Sequence, residues 1–319
     1  MTKKREVDAT VIVPSYRGVD RLPQLLDSLA NQQDGTPSFE VIVVVDGVDD
    51  GSVALLENES RLDVRSIVFP ENRGRVAALN AGFEAARGDV LIRCDDDLVV
   101  PPGYVAAHVD AHASGGPIGV VGPTRDIHVP SRYARAYGED AASRSFAHVL
   151  SRPSAERWRL WAASCSVTRE TWESIGIYDD RYKGYGWEDV DYGYRLHAAG
   201  LPIEVVEAAT AEHHGPARTA RARAVKAFEA GGARATFRRL HPEAPIGSPA
   251  AGDGLWGAAV RLTASSMQCR RAVERRAGWV DRMLPLVPTP VGRKLVALAV
   301  EGAGLAGAKR SDDDGGRPR

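Results

Sequence analysis

A chain of 319 residues with 44% hydrophobic side chains can bury a sizeable core, which excludes a disordered protein and leaves room for one large α/β domain or two smaller ones. Lys and Arg number 41 against 42 Asp and Glu, and the net charge of −1 excludes a protein drawn to nucleic acid by its overall charge. No run of roughly 18 apolar residues occurs, so no membrane-spanning helix is predicted.

The start, Met1 to Asp8, is charged and has no apolar signal region, so no secretion signal is predicted. Cys94, Cys165 and Cys269 have neither metal nor Cys-x-x-Cys spacing and suit a reducing compartment, which together predicts a cytoplasmic protein. Ala9 to Val13 reads as a short apolar strand closed by Pro14. Leu22, Leu25, Leu26 and Leu29 follow at helical spacing, with Pro23 tolerable in a first turn. Val41 to Val45 is an unbroken Val/Ile run, the pattern of a parallel strand buried on both faces, and it ends at Asp46-Gly47. A short helix at Leu55-Leu56 and a strand from Val64 to Phe69 come next, then a helix from Gly74 to Arg87.

The strand Val90-Leu91-Ile92-Arg93-Cys94 then ends in three consecutive carboxylates, Asp95, Asp96 and Asp97. In an open α/β sheet, ligands bind at the carboxyl ends of the strands. Like charges this close repel unless a cation joins them, and all-oxygen ligands suit a hard ion such as Mg²⁺ or Mn²⁺. A solvated acidic turn is the plainer alternative. Strand and helix alternate throughout this half, which predicts a doubly wound sheet.

The segments VIVPSYRGVDRLPQLLDSLANQ, VIVVVDGVDDGS and NRGRVAALNAGFEAARGDVLIRCDDD, in this order and spacing, resemble family 2 glycosyltransferases of the GT-A fold. The resemblance covers about residues 9–215 and implies an α/β fold with a mostly parallel sheet flanked by helices. It further implies that Pro14 and Tyr16 line the nucleotide base, that Asp46 hydrogen-bonds a uracil ring, and that Arg75 lies near base and phosphates. Asp95 and Asp97 match the ends of the metal-binding DxD motif, with Asp96 between them on the nucleotide side. For Asp46 a turn-forming role, and for Arg75 a solvated helix start, remain open.

Tyr104 to Ala113 is predicted helical and Ile118 to Val121 a strand, while residues 125–157 are arginine-rich and weakly periodic. Trp158 and Trp161 are read as core residues, with a sugar platform as the alternative. Residues 161–167 read as a strand and Arg169 to Ile175 as a helix. Gly184-Tyr185-Gly186-Trp187-Glu188-Asp189 then resembles the GWGxED motif of galactosyl-, N-acetylgalactosaminyl- and chondroitin-polymerising transferases. The resemblance makes Asp189 the catalytic base, Glu188 the holder of an acceptor hydroxyl and Trp187 a stacking surface. Tyr185 stands where the motif commonly has Trp, so acceptor detail does not transfer. After a strand from Ile203 to Val206 comes His213-His214, and a metal-binding histidine is expected here, His214 ahead of His213.

Beyond Arg218 the resemblance ends. Residues 1–217 are predicted as the GT-A domain, with a nucleotide-sugar half to about residue 100 and an acceptor half from 101. Residues 218–310 form a helical C-terminal extension and 311–319 a disordered tail. The basic cluster Arg270, Arg271, Arg275 and Arg276 reads as a solvated helix face, with contact to anionic lipid at the inner face of the membrane or to a second subunit as alternatives. The expected function is inverting, metal-dependent transfer from a UDP-linked sugar to a glycan, lipid-linked or small-molecule acceptor, with Mn²⁺ or Mg²⁺ as cofactor. A retaining transferase and a catalytically silent sugar-nucleotide-binding scaffold are the rivals.

Overall fold

The computed structural model describes residues 7–47, 49–113, 116–182, 185–247 and 250–315, with side chains described as far as residue 310. In chain order the strands are β1 (Ala9–Ser15), β2 (Phe39–Asp46), β3 (Val64–Phe69), β4 (Val90–Cys94), β5 (Leu98–Val99), β6 (Gly119–Val121), β7 (Thr124–Asp126), β8 (Ser164–Thr168), β9 (Ile203–Val205) and β10 (Ala211–His213). The helices are α1 (Leu22–Ala30), α2 (Ser52–Glu57), α3 (Arg75–Ala85), α4 (Tyr104–Ala113), α5 (Glu139–Ser151), α6 (Arg169–Ile175), α7 (Glu188–Ala198), α8 (Ala220–Leu240), α9 (Gly254–Ser265), α10 (Arg270–Met283) and α11 (Thr289–Gly315).

Internal contacts divide the chain into two units. The first takes Met1–Ile127, Ser145–Asp180 and Asp189–Gly215; the second takes His128–Arg144, Arg181–Glu188 and Pro216–Arg319. This differs from a division at residue 217. Tyr133 and Ala136 share a buried cluster with Phe228, Val273 and Val296 of the C-terminal helices, and so their stretch belongs with those helices. The last helix reaches Gly315, past the point where the disordered tail is predicted to begin, and residues 316–319 lie outside the described residues.

The first unit is built on a seven-stranded sheet of order β3-β2-β1-β4-β8-β6-β9, parallel except for β8. The Val41 to Val45 run of β2 is 0–2% exposed, as a strand covered on both faces requires. Leu22, Leu25, Leu26 and Leu29 of α1 pack into the same cluster, each contributing about 1.5–3 kcal/mol through burial. Chain order runs outward from β1 in one direction to β3 and then resumes at β4 on its other side. The crevice between the carboxyl ends of β1 and β4 is therefore the switch point at which doubly wound sheets take ligands. Pro14 lies inside β1 and pairs with Val44 of β2, but pairing with β4 stops at Ile12, so its missing N–H removes no ladder bond on that side.

Two stretches depart from the expected elements. The strand expected over 161–167 begins at Ser164, because Trp161 turns into a buried aromatic stack and donates from Nε1 to the Tyr178 hydroxyl at 3.0 Å. Within the weakly periodic stretch lies α5, none of whose residues is buried.

Candidate active site

At the carboxyl end of β1, Tyr16 is 46% exposed beside the Arg17 guanidinium, 5.3 Å from its ring centroid. Asp46 ends β2 and is 4% exposed; its two carboxylate oxygens accept from the Arg73 and Gly74 backbone N–H groups at 2.6 and 2.9 Å. Asp46 thus braces the turn that opens α3, close to the turn-forming alternative. Arg75 is the first residue of that helix and half-buried.

The three carboxylates after β4 go three different ways. Asp95 turns back to Arg93, which approaches it from Nε at 3.0 Å. Asp96 is 7% exposed and turned inward: Arg21 grips it with two N–H groups at 2.9 and 2.7 Å, and the Ser15 hydroxyl donates at 2.7 Å. Burial lifts the Asp96 pKa above the usual carboxylate value, against the pull of Arg21 and Ser15. Asp96 thus ties β4 to the loop after β1. Gly18 permits that approach, because a Cβ there would lie 2.7 Å from Asp96 Oδ2.

Asp97 is gathered by a second, three-stranded sheet of order β5-β10-β7. Its register sets His213 opposite Leu98 on one side and opposite Asp126 on the other. The His213 ring lies between two carboxylates, with Nε2 3.3 Å from Asp97 Oδ2 and Nδ1 2.5 Å from Asp126 Oδ1. Burial opposes a charge on this ring, but Asp126 and Asp97 outweigh it and push its pKa up to about 9. The His214 ring instead faces Glu212 at 3.1 Å, and only its backbone N–H reaches Asp97, at the carbonyl oxygen. The histidine beside Asp97 is therefore His213, the reverse of the expected preference, because alternate residues of a strand point to opposite faces. A side chain at Gly215 would collide with the Asp97 carboxylate, so that backbone closes against it.

Arg93 is the residue at this edge that motif reading passes over. It is 0% exposed, and it forms ion pairs with both Asp95 and Asp189. Burial disfavours its charge, yet the two carboxylates hold its pKa well above the ordinary value. Asp189 Oδ1 takes the Arg93 N–H, while its Oδ2 makes no hydrogen bond among the described residues. Asp191, 1% exposed, is paired with Arg195 at 2.9 Å and serves α7 itself. Beneath α7 the Trp161, Tyr178 and Tyr192 rings stack, and Trp158 and Trp161 are each 1% exposed, so they are core residues and not a sugar platform.

In the second unit Trp187 has φ of 70°, a left-handed backbone that is strained for a bulky residue. Its ring lies 5.1 Å from Phe237 and 5.7 Å from the Arg234 guanidinium. It lines a cavity of about 410 Å³ shared with Arg223, Ala230, Arg234, Val260 and Glu301. Glu188, 2% exposed, is buried, and Gly184 lies outside the described residues.

No three His, Cys, Asp or Glu side chains stand together as a metal-binding group among the described residues. Asp97 and His213 nonetheless fit a divalent ion such as Mn²⁺, as one carboxylate oxygen and one imidazole nitrogen whose other ring nitrogen is held by Asp126. Two protein ligands, completed by phosphate oxygens and water, are the usual arrangement for Mg²⁺-type ions on nucleotides.

Residues 10–167 match the family model of glycosyl transferase family 2, and residues 145–215 that of the N-terminal domain of galactosyltransferase. Validoxylamine A glucosyltransferase of Streptomyces hygroscopicus subsp. jinggangensis is 30% identical over 223 residues, 61% of this chain and 53% of the relative. The chain thus spans about half the length of that curated relative. A mannosyltransferase from Pyrobaculum calidifontis, solved in complex with GDP-Man and Mn²⁺, aligns over 95% of this chain and 90% of its own with a TM-score of 0.60 at 20% identity. S. aureus TarS 1–349 in complex with UDP aligns over 98% of this chain and 93% of its own with a TM-score of 0.52 at 16% identity. These two likenesses are likenesses of fold.

Proposed function

From its place in glycosyl transferase family 2, to which the chain belongs through residues 10–167, we propose that the protein moves a sugar from a nucleotide diphosphate sugar to an acceptor hydroxyl with inversion. One observation carries the reading: Arg93 joins Asp95, at the nucleotide end of β4, to Asp189, at the start of α7. In this reading donor-side and acceptor-side carboxylates share one cation, which helps hold the two substrates in the fixed alignment that an in-line displacement uses.

In this reading Tyr16 stacks on the base, and Asp46 fixes the Arg73–Gly74 turn against which the nucleotide lies. Asp189 Oδ2 accepts the proton of the acceptor hydroxyl as that oxygen attacks the anomeric carbon from the face opposite the diphosphate. General-base help of this kind contributes about 10²–10⁴-fold. Arg93 holds the other oxygen, so the carboxylate presents one oxygen in a fixed orientation. Asp97 and His213 would hold Mn²⁺ or Mg²⁺, which when bound neutralises charge on the departing diphosphate. Trp187 is the proposed stacking surface for the acceptor. A UDP-linked hexose or N-acetylhexosamine is the proposed donor, and a glycan, lipid-linked or small-molecule hydroxyl the acceptor.

The test is nucleotide release from UDP-, GDP- and dTDP-sugars, with Mn²⁺ and with chelator, in the parent chain and in Asp189→Asn. Release from one donor, lost with chelator, is expected. Asp189→Asn should retain donor binding and lose transfer by at least about a hundred-fold. Near-full transfer by that variant would remove Asp189 from the mechanism. Failure of every donor to bind would leave a silent scaffold as the better reading.

A further inference from the structure

Helix α10 carries a cluster of exposed positive charge. Its buried side carries Val273, Ala277 and Val280, at 0%, 0% and 7% exposure, packed into the core of the second unit. At 100° per residue, Arg271, Arg275, Trp279 and Arg282 fall together on the opposite, exposed side, with Arg276 at its margin. Arg270 is already engaged by Glu229 and Glu274. The two acids of α10 are taken by α8: Glu274 faces Arg221, and Asp281 accepts from the backbone N–H groups of Ala220 and Arg221. Among the described residues Arg271, Arg275, Arg276 and Arg282 form no ion pair.

A merely solvated helix face accounts for the arginines but not for a tryptophan that is 55% exposed at their centre. Leu286, 75% exposed, and Val291, 46% exposed, follow directly in the chain. Large apolar side chains ringed by unpaired cations are what a bilayer interface receives: indole and leucine enter the headgroup layer, and guanidinium groups stay with the phosphates. A two-fold contact between copies through this face would set arginine against arginine, and that disfavours self-association.

We propose that the Arg271–Arg275–Trp279–Arg282 face of α10 docks this protein on an anionic lipid bilayer. The proposal is independent of which donor the active site takes. Each arginine near such a surface is worth roughly five-fold in partitioning, and the attraction weakens with salt.

The test is co-sedimentation of the full chain with phosphatidylcholine vesicles and with vesicles that also contain phosphatidylglycerol. Binding to the second kind only is expected. The triple variant Arg271→Glu, Arg275→Glu, Arg282→Glu should lose it on the order of a hundred-fold, with an unchanged melting curve because all three positions are exposed. Brominated lipid should quench the parent chain's fluorescence and quench Trp279→Phe less, a readout that does not depend on the charge variants. Equal binding to both vesicles, no binding to either, or full binding by the triple variant would overturn the proposal. So would a concentration-dependent dimer abolished by the triple variant in the absence of vesicle binding.

Discussion

A guanidinium with no solvent contact keeps its charge only at a steep cost unless carboxylates surround it, and Arg93 has Asp95 on one side and Asp189 on the other. Arg93→Met removes the cation from both and should destabilise the fold by about 3–5 kcal/mol, the usual consequence of breaking a buried ion pair. Arg93→Lys keeps the charge but loses the fork that reaches two partners at once. It should fold, lower kcat by about ten-fold or more, and change donor KM little. Steady-state kinetics beside a melting curve would check this, and a loss confined to donor KM would contradict it. Asp126 acts at one remove, through His213 Nδ1 at 2.5 Å. Asp126→Ala is expected to weaken Mn²⁺ affinity by about 10–100-fold, measured by titration calorimetry in the presence of UDP. Affinity equal to the parent's would detach Asp126 from the ion.

At the scale of elements, α4 is fastened to β8 by two imidazoles that share one hydroxyl: His108 Nδ1 and His112 Nε2 each lie 2.9 Å from Ser166 Oγ. Burial lowers the His108 pKa to about 3, helped by repulsion from His112, and burial lowers that of His112 to about 4. In an unfolded chain both titrate near 6.5, at about the value of a free imidazole. Below that pH the unfolded state takes up protons that the folded state refuses, and stability falls by up to about 1.4 kcal/mol per pH unit for each ring. Above it both states are neutral and the pair adds no pH dependence. Urea midpoints measured from about pH 6.5, below which the raised His213 is charged in both states, down to about 5 should therefore decline, and His112→Gln should flatten the decline by about half. An unaltered slope in the variant would refute the assignment. The same scale explains what can be read from sequence. The helices over 104–113 and 169–175 stand where they are expected, because apolar period and stop signals both mark them. Strands β5, β7 and β10 have two or three residues each, too few to show any period, yet they bring Asp97, Asp126 and His213 together. Asp126 could not be found from sequence for that reason. Arg93 could have been: a lone arginine inside an apolar strand implies buried carboxylate partners.

At the scale of the whole molecule, each unit has a buried cluster of its own among the described residues. One holds Leu25, Val43, Ile92 and Tyr104 around the sheet; the other holds Tyr133, Phe228, Val260, Val273 and Val296 among helices. The chain leaves the first unit and returns to it before Gly215, since His128–Arg144 and Arg181–Glu188 are counted with Pro216–Arg319. The end of the family resemblance is therefore not a place where folding can be cut. Removing residues 216–319 would strip Tyr133 and Ala136 of their buried neighbours and Trp187 of Phe237, and each large side chain so exposed forfeits about 1.5–3 kcal/mol. The shortened chain is expected to express with low soluble yield and to bind the apolar dye ANS where the full chain does not. Trp187, two residues before Asp189, would lose its ring contact, so nucleotide-sugar turnover should fall even in whatever fraction stays soluble. A shortened chain that is monomeric, dye-negative and active at the parent's rate would mean that residues 10–215 are complete as a folding and catalytic unit, and that the second core is an addition they do not need.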